Sequence, residues 1–450
     1  MSMLALDGHL QHYSWGSATA LPQFLGRESD GRAWAEVWFG AHPLAPATAI
    51  EGPTAPEGHT APDGPTVPEG PAVPEGSAVP EGPTAPRGCR LDDVIAADPA
   101  RMLGADVGRA FAGRLPYLLK VIAPERPLSL QVHPTREHAA ESFAAENAAG
   151  LALSSPLRTY RDPNHKPEML IALTRFTALC GFRTPRRAAV ILDGLGTDLT
   201  DRLHHLLVDN PTAHGMRAAF RTLVSTSMRP SAQAVGEVVE ACRARARAGT
   251  SPSPRIDRFV SLLAEHHPGD PGVVAALLLN PVTLQAGEAM YVPAGALHAY
   301  IHGMGLEVMA ASDNVLRAGL TPKKVDADEV LQCVSVTAAP PLRVAPERQT
   351  PTSIAYYAPV DDFELAVTEL PGTGKPAGSA EPGRSGGSGD DPVRIPGSGP
   401  RIVLGLEGEV TLSTDTGTHI LAAGRAVFVP AAEGTLRAHG HGRFAQASVP

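Results

Sequence analysis

Two eight-residue segments in the second half of the chain share one pattern, GEAMYVPA at Gly287 to Ala294 and GRAVFVPA at Gly424 to Ala431. Five of the eight positions are identical, and in each segment a glycine precedes a short apolar run that stops at a proline. Such a run, bounded by turn residues, is typical of a strand. Chance similarity of two apolar strands is the alternative. We favour duplication, which predicts two β-barrel or jelly-roll units of one type.

The two copies diverge immediately after the shared pattern. The first copy continues to His298, whereas the position 137 residues later in the second copy is Thr435. An imidazole at the rim of a barrel is a potential metal ligand, and a threonine is a much poorer one. We therefore predict that the second unit is a scaffold copy without a metal site.

The region between residues 184 and 267 has a different periodicity. Runs such as DRLHHLLVD and DRFVSLLAEHH carry apolar residues at helical spacing and are separated by Pro, Gly and Ser. The predicted fold class is mainly β with an α-helical insertion. Residues 1–183 and 268–340 form a first β unit, 184–267 a helical subdomain, and 341–450 a second β unit.

Two stretches of biased composition interrupt this pattern. Residues 51–86 are six hexapeptides in register, beginning EGPTAP EGHTAP, and residues 371–400 include SGGSGDD. A period of six is compatible with a β-helix, but the apolar positions here are small Ala and Val beside Pro and cannot stack into a core. We interpret 51–86 as an extended, largely disordered insert and 371–400 as a flexible loop.

Charge and hydropathy exclude several classes of protein. The formal net charge is −9 without a basic block, which argues against nonspecific binding of nucleic acid. The longest apolar run, Val273 to Leu279, is far below the roughly 18 residues of a membrane span. No signal peptide is apparent, and the four cysteines form no CxxC pair. We expect a cytoplasmic protein with no nucleic-acid or membrane partner, and a monomer as the simplest oligomeric state.

Three segments carry residues suited to binding a metal. Ser129, Gln131 and His133 share one face of a strand in SLQVHP, which could equally be a hydrogen-bonded surface row. The proline-bounded DPNHKPEM offers Lys166 and Glu168, and alone it reads as a solvated loop. A lone histidine such as the one ending YVPAGALH is more often structural. Taken together, one residue set forms an N/O site suited to Zn²⁺: Gln131, His133, Glu168 and His298.

A fourth segment, LEVMAASDNVLRAGLTPK, gathers charged residues in small-residue sequence. It contains Glu307, Asp313, Arg317 and Lys323. Small residues permit close approach of a ligand to the backbone, and fixed Arg and Lys side chains suit a phosphate or an oxyanion. A polar surface loop is the alternative.

Together, SLQVHP, DPNHKPEM, VPAGALHAY and LEVMAASDNVLRAGLTPK resemble the motifs of type I mannose-6-phosphate isomerases, members of the cupin superfamily. YSWGS (Tyr13 to Ser17) and AEVWFGAHP (Ala35 to Pro43) resemble the opening motifs of that family. The resemblance covers nearly the whole chain apart from the two biased stretches. It implies a zinc-bearing cupin domain, an inserted helical domain and a second cupin domain.

The resemblance also implies roles for individual residues. It makes Gln131, His133, Glu168 and His298 the ligands of one Zn²⁺ per chain and Arg317 the catalytic arginine. His302 is a mild departure that could adjust the pocket rim. The remaining pocket residues implied in this way are Lys120, Ser129, Lys166, Tyr300, Glu307, Asp313 and Lys323.

The implied reaction interconverts mannose 6-phosphate and fructose 6-phosphate through an enediol. Glu307 is the first candidate for the proton-transferring base, and Lys166 and Asp313 are the alternatives. One competing hypothesis is the same chemistry on another sugar, and a second is a metal-binding cupin that only recognises sugars. A third competing hypothesis is a cupin oxygenase, but a Gln/His/Glu/His ligand set with no redox requirement does not call for iron.

Overall fold

We describe a computed structural model of the chain, which covers residues 3–50, 88–323, 325–371 and 392–450. The hexapeptide stretch predicted to be disordered, 51–86, lies outside the described residues. So does most of the stretch predicted to be a flexible loop, 371–400. The described residues form mostly antiparallel β sheets with several helices, which confirms the mainly β part of the predicted fold class.

Helices are numbered in chain order. They are α1 (Ala20–Phe24), α2 (Leu91–Ala97), α3 (Pro99–Leu103), α4 (Ala105–Ala110), α5 (Arg136–Ala148), α6 (Pro185–Leu192), α7 (Asp198–Asp209), α8 (Ala213–Val224), α9 (Ala232–Ala248), α10 (Pro254–His266), α11 (Gly272–Ala275) and α12 (Ala327–Cys333). Hydroxyls of Thr184, Thr197, Thr212 and Ser231 cap the starts of α6 to α9. Within the described ranges, no helix combines the length and apolarity needed to cross a membrane.

The strands, also numbered in chain order, form three sheets. The five-stranded sheet contains β7 (Leu130–Val132), β9 (Phe176–Phe182), β10 (Leu279–Leu284), β12 (His298–His302) and β14 (Leu316–Gly319). The seven-stranded sheet contains β2 (His9–Gln11), β3 (Glu36–Phe39), β6 (Tyr117–Ile122), β8 (Glu168–Ala172), β11 (Ala289–Val292), β13 (Gly305–Ala310) and β15 (Leu342–Val344).

The third sheet has eleven strands. They are β1 (Leu4–Asp7), β4 (Thr48–Ile50), β5 (Cys89–Arg90), β16 (Glu347–Arg348), β17 (Ser353–Tyr357), β18 (Glu364–Leu370), β19 (Val393–Ile395), β20 (Arg401–Thr414), β21 (Gly417–Ala422), β22 (Ala426–Val429) and β23 (Leu436–Ser448). The described residues also contain two 3₁₀ turns, Ala276–Leu278 and Ala431–Glu433.

Hydrophobic clusters order these elements into layers. Apolar residues of α6 to α11 pack on the outer face of the five-stranded sheet, around Leu130 and Val132. The inner face of that sheet meets the seven-stranded sheet through a smaller cluster that includes Leu170 and Ala178. The far face of the seven-stranded sheet packs on the eleven-stranded sheet. A polar side chain on either inner face therefore points into the space between two sheets.

Two strands pair across the limits drawn from sequence. Strand β1, at the N-terminus, pairs with β22 in register Ala5 to Val427. Strand β15 begins after residue 341 but pairs with β11 of the seven-stranded sheet. The first and last parts of the chain are thus joined by backbone hydrogen bonds as well as by side-chain packing.

Candidate metal centre and active site

Three buried side chains from two facing sheets form a compact group of metal-binding atoms. His133 follows β7 and His298 begins β12 in the five-stranded sheet, while Glu168 begins β8 in the seven-stranded sheet. Nε2 of His133 lies 3.2 Å from one Glu168 carboxylate oxygen, and Nε2 of His298 lies 3.4 Å from the other. All three side chains are buried, and their ligand atoms lie within 4.8 Å of one another.

In each histidine, Nδ1 lies within hydrogen-bond distance of a backbone carbonyl oxygen. Nδ1 of His133 lies 2.8 Å from the carbonyl oxygen of Asn314, and Nδ1 of His298 lies 3.0 Å from that of Ala296. Each carbonyl accepts a hydrogen bond from Nδ1–H, so Nε2 of each ring is the nitrogen that faces the carboxylate. Nε2 of His133 is a buried atom without a hydrogen-bond partner. Two imidazole Nε2 atoms that face one carboxylate in this way fit a divalent cation.

Electrostatics favour the protonation state that a metal needs at two of these three groups. Burial lowers the pKa of His133 and favours its neutral ring. Burial alone would raise the pKa of Glu168, but His133, His298 and Lys166 hold it well below the ordinary value, so the carboxylate is ionised. Burial also acts to lower the pKa of His298, yet the hydrogen bond to Glu168 raises it overall. Metal binding would displace the proton that His298 shares with Glu168.

A small cavity of about 50 Å³ adjoins this group. That volume holds an ion with one or two waters. Gln131, the fourth predicted ligand, lines the cavity from β7, opposite His298 in strand register. The flanking Leu130 and Val132 are fully buried on the other face, in agreement with the alternation predicted from sequence. His133 does not line the cavity.

Glu307 and Tyr300 also line the small cavity. Burial, reinforced by the nearby negative charge of Glu168, raises the pKa of Glu307 to about 7. Burial and Glu307 raise the pKa of Tyr300 well above its ordinary value, so its hydroxyl keeps its proton. A carboxylate with a pKa near neutrality can both accept and return a proton, which suits general acid–base catalysis.

A larger cleft of about 850 Å³ shares several lining residues with the small cavity. Its volume is typical of a site for a small molecule. Arg317 and Lys323 both line this cleft, and the positive charge of Arg317 lowers the pKa of Lys323. Two cations that repel each other in the absence of a ligand form a natural binding site for an anion. Ser129 lines the same cleft.

Lys120 and Lys166 line both the cavity and the cleft. Nζ of Lys166 lies 3.6 Å from a Glu168 carboxylate oxygen. Nζ of Lys120 lies 3.6 Å from a carboxylate oxygen of Glu36 and 4.2 Å from the centre of the Trp38 ring. Both lysines are buried, which fixes their ammonium groups at the junction of the two spaces.

Sequence reasoning named neither Glu36 nor Trp38 as a site residue. Glu36 is buried in β3, lines both spaces and accepts a hydrogen bond from Trp38 Nε1 at 2.5 Å. A glutamate inside the apolar strand EVWF was the available signal, because a carboxylate is seldom buried there without a specific partner. Tyr13, in the YSWGS motif, also lines the cleft.

Asp313 and His302 occupy different surroundings from the metal-binding group. Asp313 lines the outer cleft, and its carboxylate lies 3.2 Å from Nε2 of the buried His42. Burial alone would raise the pKa of Asp313, but the hydrogen bond to His42 and nearby positive charges lower it. His302 is exposed at the end of β12 and lines neither space.

A buried His/Glu/His group beside a cationic cleft, between two antiparallel sheets, is the arrangement of a metal-dependent enzyme that acts on a small anionic molecule. The family model described as phosphomannose isomerase type I, catalytic domain, matches residues 73–185. The mannose-6-phosphate isomerase of Escherichia coli strain K12 is 32% identical over 447 residues, 99% of each chain. That of Homo sapiens is 30% identical over 391 residues, 81% of each chain.

Solved structures agree with these relatives. Mannose 6-phosphate isomerase from Salmonella typhimurium, bound to substrate (f6p) and a zinc atom, superposes with a TM-score of 0.80 at 30% identity over 100% of both chains. A mannose 6-phosphate isomerase bound with zinc and yttrium gives the same TM-score, identity and coverage. The chain therefore belongs to the family of type I mannose-6-phosphate isomerases.

Proposed function

We propose that this chain is a zinc-dependent aldose–ketose isomerase that interconverts mannose 6-phosphate and fructose 6-phosphate through an enediol. The observation that carries the proposal is the His133, Glu168 and His298 group within 4.8 Å at the junction with a cleft lined by Arg317 and Lys323. Family membership supports the same substrate pair.

In this proposal, Gln131, His133, Glu168 and His298 hold one zinc ion. When bound, zinc supplies Lewis-acid stabilisation of the negative charge that develops on the sugar oxygens. The Nδ1 contacts of both histidines keep their rings oriented for this role.

Glu307 is our first candidate for the group that moves a proton between C2 and C1 of the sugar. Its pKa of about 7 balances the two halves of that transfer at neutral pH. Lys166, beside Glu168, and Asp313, in the outer cleft, are the alternatives.

The cations of the cleft bind and orient the sugar phosphate. Arg317 stabilises the developing oxyanion, and its fixed charge is shared with the phosphate. Lys323, Lys120 and Ser129 contact the phosphate or the sugar hydroxyls, and Tyr300 closes the inner end of the site. Each of these residues therefore acts by binding or by electrostatic stabilisation.

We also propose that the sheets form two cupin-type jelly-roll domains with a helical subdomain. Residues 1–183 and 268–340 would form the zinc domain, 184–267 the helical subdomain and 341–450 the second cupin domain. The pairing of β1 with β22 makes the two β domains interdependent. The free thiols Cys89, Cys180, Cys242 and Cys333 suit the reducing conditions of a cytoplasmic enzyme, with a monomer as the simplest assembly.

The decisive experiment measures zinc content and isomerase turnover together in the full chain. We expect one catalytic zinc, interconversion of the two sugar phosphates, and exchange of the C2 hydrogen with solvent. Sugar binding without interconversion or exchange would instead establish a metal protein that only recognises sugars. Faster turnover of free mannose or another aldose would show that a different sugar is the substrate.

The role of Arg317 is tested in the same assay. We expect Arg317→Ala to retain zinc and lose at least ~100-fold in kcat/KM, because its charge stabilises the transition state. Arg126→Ala removes a different arginine of the cleft and is the matched control for the loss of positive charge there. Full turnover by Arg317→Ala with normal zinc content would remove Arg317 from the mechanism.

A further inference from the structure

A second group of metal-binding side chains lies between α5 and α12. Nε2 of His138 lies 2.6 Å from Oε1 of Glu329, and the hydroxyl of Tyr160 donates a hydrogen bond to the same oxygen at 2.5 Å. Sγ of Cys333 lies 4.0 Å from that oxygen and 3.4 Å from the Tyr160 hydroxyl. Three donors of different chemistry therefore converge on one carboxylate oxygen.

Local structure fixes these side chains in place. Glu329 and Cys333 are four residues apart on α12, so they project from the same face in consecutive turns. His138 is in the first turn of α5, which begins where the Thr135 hydroxyl caps the helix. Tyr160 is almost fully buried, and its ring meets that of His138 edge-on at 5.9 Å. The convergence depends on helix packing and not on a flexible surface loop.

The donor set is that of a borderline-soft divalent cation. Imidazole nitrogen, thiolate sulfur and carboxylate oxygen are the three ligand types of protein zinc sites. The ligand atoms of His138, Glu329 and Cys333 lie within 4.8 Å of one another. A tetrahedral ion with bonds of ~2.0–2.3 Å separates its ligands by roughly 3.3–3.7 Å, which small side-chain rotations reach here.

Accessibility and the neighbouring hydroxyl also suit an ion. The His138 and Glu329 side chains are 27% and 19% exposed, so an ion can reach them from solvent. The Tyr160 hydroxyl can continue to donate to Glu329 after the ion replaces the His138 contact. It would then orient a ligating carboxylate, which is the usual task of a group just outside a coordination sphere.

We propose that His138, Glu329 and Cys333 form a second divalent-cation site, selective for Zn²⁺-like ions and oriented by Tyr160. The bound ion joins α5 to α12. Helix α5 starts just after His133 of the catalytic group, and α12 starts just after Lys323 of the cleft. The ion therefore stabilises two segments that border the active site without contacting the substrate.

The test uses Co²⁺ as the probe, titrated into the full chain after the resident metal has been removed. A cobalt–thiolate bond produces a charge-transfer band in the near ultraviolet, which nitrogen and oxygen ligands do not produce. We expect two Co²⁺ ions per chain and this band. Cys333→Ser and His138→Asn should each bind one ion and lack the band, and Tyr160→Phe should weaken the second site by ~10-fold.

Cys180→Ser is the matched control because Cys180 is a buried thiol in register with His298. A band that survives Cys333→Ser but disappears in Cys180→Ser would overturn the proposal, as would a single Co²⁺ per chain. Isomerase turnover at saturating metal should be unchanged in Cys333→Ser. This outcome is separate from the proposed function, since the second site holds or fails whether or not the chain isomerises sugars.

A measurement on the unmodified chain guards against variants that fail to fold. Alkylation of Cys333 by iodoacetamide, followed by mass spectrometry, should slow at least ~10-fold when Zn²⁺ is added beyond one equivalent, because a ligating thiolate is no longer available. Equal alkylation rates with and without the added ion would contradict the site.

Discussion

The two repeated segments fold alike but hold opposite charges at the same register. Gly287 and Gly424 both have positive φ, of 85° and 73°, and each leads into a four-residue buried strand that ends before a proline. In the first copy, Val292 pairs with Glu168 of the metal-binding group. In the second copy, the equivalent Val429 pairs with Arg401, which is fully buried.

The charge at this register distinguishes the two segments and supports the prediction that only the first unit binds a metal. In the first copy, a carboxylate faces two histidines, and the group gains from a cation. In the second, the Arg401 guanidinium donates to the carbonyl of Gly434, and Thr435 replaces the histidine. A fixed cation at this position repels a metal ion, so the two segments share strand geometry but differ in the chemistry they can support.

The largest effect is expected from His298→Ala in the first copy. Loss of a buried ligand removes zinc, and with it several kcal/mol of transition-state stabilisation, so kcat/KM should fall ~10⁴-fold. Thr435→Ala, at the equivalent position of the second copy, should leave zinc and turnover unchanged. Metal analysis and the isomerase assay check both, and an active zinc-free His298→Ala protein would contradict the comparison.

Glu307→Gln should produce the next largest effect. An amide cannot accept the proton, so kcat should fall ~10³-fold while zinc stays bound. Asp313→Asn provides the control for the outer cleft and should affect KM more than kcat. If Asp313→Asn loses kcat and Glu307→Gln does not, the proton carrier lies in the cleft.

The raised pKa of Glu307 also predicts the pH dependence of stability in the metal-free protein. A pKa of about 7 in the folded chain against 4.5 ordinarily means that folding favours the protonated acid. The metal-free protein should therefore lose stability as pH rises from about 4.5 to about 7, by about 1–3 kcal/mol. Glu307→Gln should lack this loss when urea unfolding is measured at pH 5 and pH 8.

The first glycines of the two segments differ in how closely other atoms surround them. A Cβ on Gly424 would lie 2.4 Å from the carbonyl oxygen of Phe24, whereas a Cβ on Gly287 would meet no atom within 4 Å. Gly287→Ala should cost only the strain of a positive φ, about 1–2 kcal/mol. Gly424→Ala adds a clash with backbone and should cost about 3 kcal/mol or more. Thermal unfolding that ranks them the other way would show that the turns are not equivalent.

Local sequence patterns predicted the side-chain alternation and the turns, but not the long-range strand pairing. Alternation in SLQVHP predicted that Gln131 points away from the buried Leu130 and Val132, and the glycine turns of both copies were visible in sequence. The pairing of β1 with β22 joins residues more than 400 positions apart, and no local period encodes it. Glu36 was missed because its ion-pair partner Lys120 lies on another strand, and strand register decides which residues of β3 and β6 lie side by side.

The smallest effect tests whether the polar interior of the second copy is structural. Glu433 is buried, and one of its oxygens accepts hydrogen bonds from Thr414, at 2.9 Å, and Thr416. Glu433→Gln weakens these bonds and removes the nearby counter-charge of Arg401, so it should cost about 1–2 kcal/mol of folding free energy. Zinc content and kcat should not change.

Glu168→Gln is the matched change in the first copy, and unlike Glu433→Gln it should abolish zinc binding and turnover. The amide no longer balances the charge of a zinc ion, and the metal-free protein should also lose stability, because Lys166 then keeps a buried charge without its carboxylate partner. If Glu433→Gln instead lowers kcat at unchanged stability, the second copy takes part in the function, and the division between a binding copy and a structural copy is wrong.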